Sequence, residues 1–113
     1  HFLFPQEGSV TVIDVEVLRH GDPAEDLGRM SAELLYLFLH GAGSSAAARP
    51  LIEHFVGCYV RHRVSYLGEP LERLRQRARF FTAFAAMGIG RNYVVDLDFR
   101  RALIRETSAL LEL

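Results

Sequence analysis

The sequence predicts a mostly helical α+β chain of 113 residues, a β-hairpin over 1–17 followed by about four helices over 22–113, forming one unit. Three observations carry this. The segment 10–17 is almost entirely β-branched around its charges, which favours a pleated strand. From Asp22 onward the apolar period changes from two to 3.6. Glycine and proline clusters divide the remainder into four helix-length pieces.

The hairpin comes first. Residues 1–4 and 10–17 flank Pro5-Gln6-Glu7-Gly8-Ser9, where proline and glycine supply turn chemistry. Alternation puts Val10, Val12, Asp14 and Glu16 on one face and Thr11, Ile13, Val15 and Val17 on the other. The second face is expected to meet a core. A two-stranded hairpin is marginal in water by itself, and its other face ends in two acids. The chain enters its first strand at His1, which fits a start inside a larger fold.

Asp22-Pro23-Ala24-Glu25 reads as a helix start, with Asp22 as N-cap, Pro23 at the first helical position and Glu25 closing a capping box. The first helix is expected over 22–40, with Leu27, Met30, Leu34, Leu37 and Phe38 as its apolar stripe. A second, over 46–66, turns Ile52, Phe55, Val56, Tyr59 and Val60 inward. The third runs over 70–87 on Leu71, Leu74, Phe81 and Phe84 and stops at Gly88-Ile89-Gly90. The last, over 99–113, follows an Asp96-Leu97-Asp98 start signal.

Composition excludes several classes. Half the residues are apolar, so a core can form, and the net charge is −1, without the basic excess of a general nucleic-acid binder. Cys58 is the single cysteine, which rules out an intrachain disulfide framework. No apolar run approaches the ~20 residues of a membrane span, and the start lacks a signal peptide's basic region and long apolar stretch. No membrane partner is expected, and the protein reads as cytoplasmic.

Asp14 and Glu16, two apart on one strand face, suit a hard cation such as Mg²⁺, which takes one or two protein carboxylates and completes its shell with water and phosphate. The same spacing also fits acids that mark where a strand meets solvent. His54, Cys58 and His62 recur every four residues within about 80° of helical arc, a Zn²⁺-compatible set whose other reading is the flank of a core face. Arg73, Arg75, Arg77 and Arg79 point two ways around their helix and read as a solvated face. Met87-Gly88-Ile89-Gly90-Arg91-Asn92 follows a helix rather than a strand, so helix termination explains it better than a phosphate loop.

Taken together, Ile13-Asp14-x-Glu16 and then Gly21-Asp22-Pro23-x-x-Asp26-Leu27 resemble the aminoglycoside phosphotransferase family, small-molecule kinases with a protein-kinase-like fold. The likeness covers His1 to about Leu39. It implies that the chain is the C-terminal part of such a kinase lobe. Asp14 would match the Mg²⁺-binding Asp that holds metal against ATP phosphates, and Asp26 the acid that braces the catalytic loop. Asp22 would cap the helix. His1 falls where the family usually has a second metal-ligating Asn, and Val15 where it commonly has Trp. The resemblance therefore implies Mg²⁺, ATP as co-substrate and a small-molecule hydroxyl acceptor.

Phosphoryl transfer also needs a nucleotide-cradling loop, a phosphate-pairing Lys and an acid that orients the attacking hydroxyl. The chain contains no lysine. The catalytic acid and the N-terminal lobe are expected upstream of His1, with no catalytic residue within the chain, which would be inactive alone. A non-catalytic helical interaction or scaffold module is the alternative that the missing machinery suggests.

Overall fold

The computed structural model describes residues 1–5, 8–16, 18–92 and 94–111, with side chains left aside at 64–67 and 109–111. It is α+β and mostly helical: strands β1 (Phe2–Leu3) and β2 (Thr11–Val12), then helices α1 (Pro23–Ala42), α2 (Ala48–Leu67), α3 (Leu71–Gly90) and α4 (Leu97–Leu111).

The hairpin is shorter than its sequence implies. Phe2 pairs with Val12 and Leu3 with Thr11, antiparallel, and His1 and Ile13 extend the ladder by exchanging two backbone hydrogen bonds of 3.0 Å. Pairing then stops, because Asp14 adopts a left-handed conformation with φ 58°. The Leu18 amide closes a turn onto the Val15 carbonyl at 3.0 Å. Alternation therefore does not continue from Val12 to Glu16, and the expected shared face of Asp14 and Glu16 is lost. Val17 and the turn residues Gln6 and Glu7 lie outside the described residues.

The expected core face is also corrected. Ile13 and Val15 are exposed, as are Phe2, Phe4, Val10 and Val12. Among the described residues neither strand packs against a helix.

Helix α1 begins where the Asp22 carboxylate accepts the Ala24 amide at 2.9 Å, with Pro23 in the first turn. Glu25 does not close a capping box. Its carboxylate goes instead to Arg19 at 3.2 Å and Arg29 at 3.5 Å. The helix ends at Gly43, whose φ of 65° suits a residue without a Cβ, and whose amide bonds the Leu39 carbonyl at 3.0 Å. Helix α4 begins where Asp96 accepts the amides of Asp98 at 2.9 Å and Phe99 at 3.1 Å. These bonds, with that to Phe99 first, hold the Asp96 carboxyl below the usual range.

Two buried clusters run along α1. One joins Leu35 and Leu39 to Ala86 of α3 and Leu103 of α4; the other joins Leu27 to Val60 of α2 and to Leu74 and Ala78 of α3. The inward face of α1 is thus Ala24, Leu27, Gly28, Ser31, Ala32, Leu35 and Leu39. Leu37, expected in the stripe, is exposed, while Met30, Leu34 and Phe38 are half-buried. The small residues explain the rotation, since α1 and α3 cross so closely that a Cβ on Gly28 would lie 2.4 Å from the Phe81 Cβ and 2.6 Å from the Thr82 amide nitrogen. On α2, Ile52, Phe55, Val56, Tyr59 and Val60 do face the core.

Helix α3 does not stop at Gly88. It continues to Gly90 because Ala86 and Ile89 pack into the cluster that α4 completes, and that packing outweighs the low helix propensity of glycine. Phe84, expected inside, is 64% exposed. The buried hydroxyls of Ser31, Thr82 and Thr107 each donate to the carbonyl four residues back, at 2.7 to 2.8 Å. Among the described residues no helix is long and apolar enough to cross a membrane.

Candidate metal–phosphate site

The site begins with the ladder. His1 faces Ile13 across the hairpin, and directly opposed residues share a sheet face. An extended residue at 14 would point to the other face. The left-handed φ of Asp14 breaks that alternation, and its carboxylate Oδ2 lies 3.1 Å from His1 Nε2. A left-handed Asp is uncommon and costs local strain, which short polar side chains tolerate better than others.

Both groups are open to solvent, with side chains 78% exposed at His1 and 53% at Asp14. They are an ion pair only when the imidazole is protonated. Otherwise they offer a carboxylate and a ring nitrogen to one small volume. The carboxylate suits Mg²⁺, a hard ion that prefers oxygen; the imidazole suits it less well. Glu16, exposed in the turn beyond, does not join them. Among the described residues no group of three or more His, Cys, Asp or Glu side chains is placed to hold a metal ion. Any Mg²⁺ held here would depend on oxygens from phosphate, water or other protein residues.

Asp22 and Asp26 separate in role. Asp26 is exposed in the first turn of α1 and makes no ion pair among the described residues. Asp22 caps the helix and also meets Arg77 of α3, whose Nε donates to Oδ2 at 2.7 Å. The other end of the guanidinium grips Glu69, just before α3, at 2.6 and 2.7 Å. The Arg77 hydrogen bond is the main reason the Asp22 carboxyl sits below the ordinary range, and the same holds for Glu69. The two acids in turn hold Arg77 more firmly protonated. Arg77 thus fixes the start of α1, just after the hairpin, against α3. Sequence reasoning placed Arg77 in a basic run and missed this partnership, since Asp22 lies 55 residues away.

The basic run does divide in two directions. Arg73 and Arg77 flank a surface hollow with Asp22 and Phe80, whereas Arg75 and Arg79 line a cleft against α2. On α2, Cys58 Sγ lies 3.4 Å from His54 Nε2 and accepts from Arg61 at 3.0 Å; His62 does not complete a metal-binding triad with them. A broad surface groove of about 690 Å³ runs alongside the α1–α3 crossing, with Glu33, Tyr36, Phe84, Met87, Arg91 and Asn92 in its walls.

No family model, curated protein or solved structure matches the chain.

Proposed function

We propose that the chain is the C-terminal part of an ATP- and Mg²⁺-dependent phosphotransferase acting on a small-molecule hydroxyl, a cytoplasmic enzyme whose catalytic acid and nucleotide-binding lobe come from residues ahead of His1. The observation that carries this reading is the meeting of Asp14 and His1 at the end of the hairpin. A left-handed backbone turns a carboxylate toward the His1 imidazole, a side chain that also ligates metals. The motif order around it, with an Asp22-capped helix eight residues later, supports the same reading.

In this scheme Asp14 would hold Mg²⁺, which when bound would supply charge neutralisation at the transferring phosphate. Asp22 and Arg77 anchor the segment that leads from Asp14 into α1. Asp26, exposed and unpaired among the described residues, is available to brace a loop supplied from outside the chain. The exposed apolar hairpin gives the missing lobe a surface to cover. Helices α1 and α3 offer the acceptor a wide surface groove.

The test is Asp14→Asn in the gene product with its upstream residues. Asparagine tolerates the left-handed backbone, so the change removes charge and leaves conformation in place. Phosphorylation is expected to fall by about 10²-fold or more. His1→Asn, which swaps imidazole for an oxygen donor, is expected to lower the Mg²⁺ concentration needed. Unchanged Mg²⁺-dependent turnover in Asp14→Asn would falsify the assignment.

The same exposed hairpin also favours a second reading, a helical interaction module that docks a partner and catalyses nothing. The upstream reading frame separates the two. A glycine-rich hairpin, a lysine and an acidic catalytic loop ahead of His1 favour the enzyme.

A further inference from the structure

Helix α2 leans on α1 and touches α3 only lightly. The wedge between them is a cleft of about 360 Å³, within the ~300–1,000 Å³ of small-molecule pockets. Its floor is Ser31 of α1 and Thr82 of α3, and its apolar walls are Ile52 and Val56 of α2. Arg75 and Arg79, one helical turn apart on α3, line the same cleft. Among the described residues neither arginine is ion-paired, in contrast to Arg77 between them, which is held by two carboxylates. Glu53 is the opposing acid on the α2 side.

We infer that this cleft is a binding site for a small amphipathic anion, with an apolar body against Ile52 and Val56 and a carboxylate or phosphate monoester between Arg75 and Arg79. Charge complementarity selects the ligand class. Two guanidiniums on one helix face present a fork that matches a planar or tetrahedral oxyanion, while the walls between them and the floor are mostly carbon. The Ser31 and Thr82 hydroxyls already donate to their own helices. They are left as acceptors, so they favour a ligand whose buried end is apolar or carries a single donor. Glu53 limits affinity, because it faces the bound anion across the cleft. The site is separate from the Asp14–His1 pair and does not depend on the phosphotransferase reading.

Isothermal titration of the chain with phenylacetate and with phenyl phosphate tests this, with phenylacetamide as the neutral isostere and inorganic phosphate as the headgroup alone. One-to-one binding of either organic anion is expected with a Kd on the order of 1 mM or below. Phenylacetamide and inorganic phosphate are each expected to bind at least about 5-fold more weakly. Arg75→Gln and Arg79→Gln should each weaken the anion about 3- to 10-fold, and Glu53→Gln should tighten it about 2-fold. Circular dichroism and melting of these partly exposed variants should be unchanged. Equal binding of phenylacetamide, equal binding of inorganic phosphate, or unaltered affinity in the double arginine variant each overturns the site. Binding to phosphatidylglycerol vesicles without binding of the free anions would assign the arginines to a membrane surface and overturn it as well.

Discussion

Leu35 and Val12 are both aliphatic residues in regular structure, yet Leu35 is 1% exposed and Val12 52%. The difference lies in what each element can reach. Helix α1 has α3 along its length, with α2 and α4 at its flanks, so its inward face is covered from within the chain. The hairpin has two short paired strands and, among the described residues, no helix against it, so its side chains stay exposed. The helical part completes a core; the hairpin leaves its apolar side chains exposed. The candidate ligands sit at the end of this uncovered element, not in the core.

The contrast is broken most severely from the helical side. Leu35→Ala removes a fully buried side chain and should cost about 2–5 kcal/mol in urea unfolding. A loss below about 1 kcal/mol would mean that the two clusters do not form one cooperative core. Gly28→Ala comes next. Its Cβ would meet the Phe81 carbonyl carbon and the Thr82 nitrogen, both at 2.6 Å, and backbone atoms cannot swing aside. The net cost should be about 1–3 kcal/mol, despite better helix propensity. A stabilised Gly28→Ala would show that α1 and α3 stand further apart.

Asp22→Ala should cost about 1 kcal/mol through the lost cap. Asp22→Asn isolates the charge, since asparagine also caps. The folded-state pKa of Asp22 is depressed, chiefly by the Arg77 hydrogen bond. Its contribution is therefore present above the unfolded value of ~3.9 and disappears as pH falls through the lower folded value. Urea midpoints from pH 5 downward should fall less steeply in Asp22→Asn than in the parent. Parallel slopes would remove the Arg77 partnership. Smallest of all, Phe4→Ser and Val12→Thr should change the stability of the isolated chain by no more than about 0.5 kcal/mol. A larger loss would place the hairpin against the helices and erase the contrast.

Much of the element order was legible because it is written locally. Valine and isoleucine around Thr11 mark a strand, and Asp22-Pro23 marks the start of α1 within one residue. What was not legible depended on contacts across the chain. The inward face of α1 is set by Gly28, Ser31 and Ala32, small residues that a hydrophobic count passes over but a close helix crossing requires. Gly88 and Gly90 look like a helix end until Ile89 finds α4. Of the site, Asp14 and His1 were identifiable as residue types at their positions, but their proximity was not. It depends on a left-handed φ that period-two reasoning cannot foresee. Arg77 was hidden by its equally basic neighbours.

The contact at Gly28 also sets a hierarchy of motion. Two helices that touch backbone to backbone leave no room for a water molecule between them, so their amides open only when the chain unfolds as a whole. Deuterium should consequently enter the middle of α1 and α3 last, and the hairpin amides first.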